Sequence, residues 1–211
     1  MPSRLEILET LSAYHKTWNS QETDYPLKDH LEDSQTATQF FEFVDANPGC
    51  FLRSNTVGHM TGSALVVNPS LTKVLLTHHK KLGMWLQLGG HADGHHLIHE
   101  VAMTEALEES GLTNLSYLNY SADLFKKSAL SHPLPFDLDR HLIPANSKDP
   151  QHHHYDVRYL IVATSEALPV VSEESHDVRW FTFDEAHRVT SEISMRRQFS
   201  KVAWIKNRLK Y

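Results

Sequence analysis

Three carboxylates, Glu105, Glu108 and Glu109, crowd into a short stretch of this 211-residue chain, and no lysine or arginine is interleaved among them. At i, i+3, i+4 spacing a helix places them on one face, where like charges repel. A divalent cation relieves that repulsion, because hard ions such as Mg2+ prefer carboxylate oxygens. An isolated acidic triplet is more often a solvated face. Here a Gly89-Gly90 pair, expected as a tight turn, leads into the helix, and Gly111 supplies a residue suited to ending it. That framing favours a metal site.

Histidine is the compositional oddity, with 16 copies. His152, His154 and Asp156 alternate, so on a strand their side chains share a face. His59 opens an earlier expected strand and His91 follows the double glycine. Imidazoles with a carboxylate suit Zn2+ or Mn2+; the bland reading is a polar cleft whose histidines hydrogen-bond to one another.

Residues 90–112 resemble the signature of the Nudix hydrolases: a glycine, a spaced glutamate, then Arg-Glu-apolar-x-Glu-Glu-x-Gly-apolar. Gly90 takes the first place and Glu105-Ala106-Leu107-Glu108-Glu109-Ser110-Gly111-Leu112 the end. His96 stands where the family has glutamate and Thr104 where it has arginine; a register starting at Gly94 restores the glutamate but misplaces all that follows. The resemblance implies an α/β/α sandwich and hydrolysis of a diphosphate linkage in a nucleoside di- or triphosphate or related compound, with Mg2+ or Mn2+. It implies Glu105 and Glu109 as principal metal ligands, Glu108 completing the cluster and the Gly90 carbonyl contributing. The general base is expected to be one of these glutamates or a carboxylate on a later loop, where Glu174 is the candidate against an ordinary surface acid. Lys80 and Lys81 either meet substrate phosphates or form a solvated hairpin end. The departures at positions 96 and 104 leave open a second reading, a ligand-binding module with weakened catalysis. By resemblance to isopentenyl-diphosphate isomerases, His59, His91, His154 and Asp156 form a second metal set. The isomerase reaction itself is not expected, because Gly89 stands where those enzymes need a cysteine.

These side chains need elements to hold them. Apolar residues make up 40% of the chain, enough for a core, and the net charge of −6 argues against general nucleic-acid or membrane-surface binding. No signal-like or membrane-spanning run is seen. The lone Cys50 forms no intrachain disulfide and fits a cytoplasmic protein; a buried small apolar role is favoured over a reactive thiol. Helices are expected near residues 5–18 and 34–43, giving an N-terminal extension over 1–48 ahead of a catalytic domain over 49–211. Strands are expected over 60–67, 73–77, 83–88, 115–125, 138–143, 155–162 and 177–183, around a helix over 97–110. A closing helix carries Met195, Phe199, Val202, Ile205 and Leu209 at helical spacing. This order predicts a layered α/β fold with a mixed sheet. The terminal helices are also candidates for a homodimer contact.

Overall fold

The computed structural model describes residues 4–18, 27–120, 132–147 and 149–209, with 27–33 as backbone only. Two N-terminal helices, α1 (Leu5–Trp18) and α2 (Leu27–Ala46), precede strands β1 (Gly58–Val67), β2 (Lys73–His79), β3 (Met84–Leu86) and β4 (Leu88–His91). Helix α3 (Ile98–Ser110), β5 (Leu115–Tyr117), β6 (Asp137–Ile143), β7 (His152–Ala163) and β8 (Ser175–Thr182) follow. Two helices close the chain, α4 (Phe183–Val189) and α5 (Ile193–Leu209).

The centre of the sheet is the parallel pair β1 and β7, in register from Gly58 opposite His153 to Val67 opposite Val162. Every residue of β1 is buried, as expected of a strand covered on both faces. Its free edge is divided. Val66 and Val67 pair with β2, whereas Thr61 to Ala64 pair with β4. The edge of β7 is divided likewise, between β6 and β5. The mixed sheet therefore opens where β2 leaves β1, and β3 and β8 extend the wing that departs.

Helix α3 lies on one face, so close that a Cβ on Gly62 would sit 2.7 Å from the Ile98 carbonyl oxygen. The α/β fold, with helices flanking a mixed curled sheet, agrees with expectation. Helices α1 and α2 are not peripheral: Leu11, Tyr14, Trp18, Phe40 and Val44 are buried in the same cluster as Met60, Leu65 and Val157. The ring of Phe43 stacks on Tyr155 at 3.7 Å.

Several boundaries differ from expectation. The double glycine is not a turn; it lies inside β4, and the bend comes later, at Asp93 and Gly94 (φ 48° and 91°). The 83–88 strand breaks at Gln87, separating β3 from β4. Strand β5 stops at Tyr117, and the rest of the 115–125 expectation lies largely outside the described residues. Strand β7 begins at His152, so all three consecutive histidines are in the sheet. Phe183 starts a helix rather than ending a strand, because Thr182 and Glu185 form a capping box.

Candidate active site and histidine cluster

The carboxylates depend on β4 being made of glycine. Gly89 N–H donates to Glu109 Oε2 at 2.9 Å. A Cβ on Gly90 would lie 2.0 Å from Glu105 Oε1, so the missing side chain is the space that this carboxylate occupies. The helix ends cleanly at Gly111, in the left-handed region at φ 64°, with its N–H on the Leu107 carbonyl.

Burial pushes the Glu109 carboxyl up to about 7; the Gly89 hydrogen bond opposes this, and Glu105 and Glu174 add to it. Glu105 is raised too, by burial first and then by Glu108, Glu174 and Asp93, with Arg53 opposing. Glu108 is exposed. The three acids thus do not share one environment: two turn into the protein beside the glycine strand and the third faces solvent. Glu174, on the loop before β8, is exposed, and its charge is felt by both inner carboxylates. Two inward-facing carboxylates, both raised by burial and by neighbouring acids, make a donor set that fits a hard divalent cation.

Lys80 and Lys81 are exposed. The Lys80 ammonium donates to the Glu173 carbonyl, and the Lys81 N–H donates to His79 Nδ1. Neither lysine lines the cavity described next.

A cavity of about 420 Å3 opens where the sheet divides, bounded by Glu109, His91, His154, Asp156, Arg158 and, from the start of α5, Met195. Along β1, His59, Thr61 and Ser63 alternate onto this face, and β7 sets His154, Asp156 and Arg158 opposite them in register.

At one end the imidazoles meet. His59, His152 and His154 each place a possible ligand atom within 4.8 Å of the others, a cluster able to coordinate a divalent metal. His91 joins them, its Nε2 being 3.3 Å from His154 Nε2. Burial, then neighbouring positive or titratable groups, pushes His91 down to about 4 and His154 down to about 2; His59 is lowered for the same first reason. Neutral rings keep a lone pair for a metal. His59 is only 3% exposed, and neither of its ring nitrogens has a hydrogen-bond partner.

Of the expected second metal set, His59, His91 and His154 come together and His152 joins them. Asp156 lies farther along the face with its carboxylate already occupied: Thr61 and Ser63 hydroxyls donate to Oδ1 at 2.8 and 2.7 Å. Gln87 and Arg158 donate to Oδ2 at 3.0 and 2.7 Å.

Beneath the cavity runs a buried ion network that local sequence patterns did not reveal. Arg158 reaches Asp156, Asp139 and Asp137, while Arg197 and Lys201 of α5 also hold Asp137. Burial alone would raise Asp137, but Arg197, Lys201 and Arg158 hold it below the usual carboxylate range. Lys201 also donates to the Tyr14 hydroxyl at 3.0 Å, tying α1 to the floor of the site. Gln87, in the break between β3 and β4, accepts from Gln198 at 2.6 Å and so links α5 to Asp156.

A glycine strand placing carboxylates beside a cleft in a divided mixed sheet, with a histidine cluster suited to metal-assisted cleavage, defines a phosphoanhydride hydrolase of the Nudix class. The NUDIX domain model matches residues 59–202, and the chain belongs to the Nudix hydrolase family. Among solved structures it is similar to a NUDIX-family hydrolase from Clostridium perfringens, with 26% identity, 70% of this chain and 97% of that chain covered, and a TM-score of 0.51. It shares its fold with a C. elegans Ap4A hydrolase binary complex at 14% identity, covering 68% of this chain and 94% of that one, with a TM-score of 0.50. No curated protein sequence matches the chain. Among the described residues, no helix is long and apolar enough to cross a membrane.

Proposed function

We propose that the protein hydrolyses the diphosphate linkage of a nucleoside di- or triphosphate or a related small molecule, water attacking phosphorus. The observation that carries this reading is the seating of Glu105 and Glu109 against the double-glycine strand, one in the space of an absent Cβ and the other on a backbone N–H. Glu105 and Glu109 would hold Mg2+ or Mn2+, with the Gly90 carbonyl contributing and exposed Glu108 completing the cluster. When bound, such an ion neutralises phosphate charge and helps to activate water. Glu174 would take the proton from the attacking water, a role supported by its electrostatic coupling to both inner carboxylates. Lys80 and Lys81, at the exposed end of the β2–β3 hairpin, would meet outer phosphates after releasing their present contacts.

The imidazole cluster would take a second ion, Zn2+ or Mn2+, for which nitrogen donors are suited. A single cysteine, buried and raised by burial to about 11, fits work in a reducing cytoplasm.

The test is incubation with a panel of nucleotides and diphosphates plus Mg2+ or Mn2+, measuring released phosphate or diphosphate. Turnover that Glu109→Gln abolishes is expected. Tight binding with no turnover across the panel would replace the hydrolase with a ligand-binding module.

A further inference from the structure

The hydrogen-bond roles around the imidazole cluster are set by partners that have no choice. A guanidinium only donates. Arg53 Nη2 lies 2.7 Å from His91 Nδ1 and 3.4 Å from its Nε2, so Nδ1 is the acceptor. A neutral imidazole with Nδ1 accepting carries its proton on Nε2, the atom 3.3 Å from His154 Nε2. A carbonyl only accepts. His152 Nδ1 lies 2.7 Å from the Pro150 oxygen, so it donates there and its Nε2 is a bare lone pair, also 3.3 Å from His154 Nε2.

His154 cannot satisfy both neighbours. Accepting from His91 sets its lone pair against that of His152; carrying the proton instead sets its N–H against that of His91. His59 adds two buried nitrogens without partners. Unmet polar groups at this depth are costly, and one cation would take the lone pairs of His152 and His154 together with that of one His59 nitrogen.

We infer that His59, His152 and His154 hold a single Zn2+-class ion through three imidazoles, and that His91 is no ligand but an N–H donor kept in that tautomer by Arg53. This deepens the proposal of a second ion and rests on it. Three protein ligands leave a tetrahedral ion one position for an outside donor, as in catalytic rather than structural zinc sites. Because His154 and His91 border the cavity, that donor would be a phosphate oxygen of the substrate, with the His91 N–H directed to the same group. The His152 Nδ1 bond to a backbone carbonyl is the outer-shell contact that orients a ligating imidazole.

The test uses the full chain carrying Glu105→Gln and Glu109→Gln, which removes the carboxylate centre, so failure of the hydrolase reading and failure of this one are separable. Zn2+ content after dialysis and the visible absorption of the Co2+-loaded protein are measured, with circular dichroism confirming the fold of each variant. One equivalent of Zn2+, not displaced by excess Mg2+, is expected. His152→Ala should weaken Co2+ binding by well over about 100-fold, whereas His91→Ala should weaken it by about 100-fold at most, the upper end for a residue that only supports the ligands. Equal losses for His91→Ala and His152→Ala would mean a closed four-histidine site, and no retained ion would remove the centre altogether. Arg53→Met alters only an exposed side chain and checks the tautomer: with Nδ1 released, His91 can rotate and bind, shifting the Co2+ band. An unchanged band would overturn the role given to Arg53.

Discussion

The two adjacent glycines of β4 should fail in different ways when each is replaced by alanine. At Gly90 a new Cβ meets the end of a flexible side chain: it would lie 2.0 Å from Glu105 Oε1, and real Cβ contacts essentially never fall below 3.0 Å. The Glu105 carboxylate must therefore retreat by about 1 Å, which rotation about its side-chain bonds allows at little cost to the fold. Displacement on that scale at a reacting centre costs about 100-fold in rate. At Gly89 the new Cβ meets Ser63 Oγ at 2.3 Å and the Ser63 Cα at 2.8 Å. Backbone cannot swing away, and Ser63 is already committed to Asp156 at 2.7 Å. Gly89→Ala should thus strain the β1–β4 ladder by about 1–3 kcal/mol, the usual cost of overpacking. Urea unfolding and Mg2+-dependent hydrolysis, measured on both variants, separate the effects. Gly90→Ala should unfold within about 1 kcal/mol of the parent yet lose about 100-fold in rate, with weaker Mn2+ binding by titration calorimetry. If Gly90→Ala keeps parental activity, the idea that β4 is glycine to make room for a working carboxylate is wrong.

The buried network makes a separate prediction. Asp137→Asn leaves Arg158, Arg197 and Lys201 facing a neutral group and should cost about 3–5 kcal/mol in urea unfolding; a loss below about 1 kcal/mol would show that the ion pairs are passive. The same network sets the acid limb of stability. Asp137 and Asp139 are held below their ordinary range, so their contribution is intact above the unfolded value of about 3.9 and is lost as pH falls from there toward the folded values. Thermal melts between pH 5 and pH 2 should show this decline, shallower in Asp137→Asn; equal slopes would assign it to other carboxylates. Lys201→Met should lower stability by about 3 kcal/mol in urea unfolding, because it removes one of the buried cations that hold Asp137; a loss below about 1 kcal/mol would show that this contact is passive. Restoring Thr104→Arg and His96→Glu together should raise the hydrolysis rate, and a clear fall would show that these positions have been retuned.

What could be read from sequence was what repeats locally. The i, i+3, i+4 spacing of the acids and the glycine stop placed α3 within one residue, and alternation put His152, His154 and Asp156 on one face of β7. The double glycine departs from the expected turn because its cause is remote. Gly-Gly looks like a bend by composition, yet its two missing side chains are demanded by Glu105 on a later helix and Ser63 on an earlier strand. The same distance in sequence hid which of His152 and Asp156 stands beside His59 and His154. Both lie on the correct face, but only the parallel register with β1 decides that His59 stands opposite His154 while Thr61 and Ser63 reach Asp156 first. Arg53 carried no local pattern at all, being a lone arginine in a turn-rich segment. The division of the β1 edge ties these together. Where β2 departs, the strand that replaces it must leave room both for the carboxylates and for the cleft that Glu109 borders. Two glycines achieve both, and His91, the next residue, is thereby carried into the imidazole cluster. Carboxylates and imidazoles thus share one short strand as their common support, so a shift of β4 disturbs both groups together.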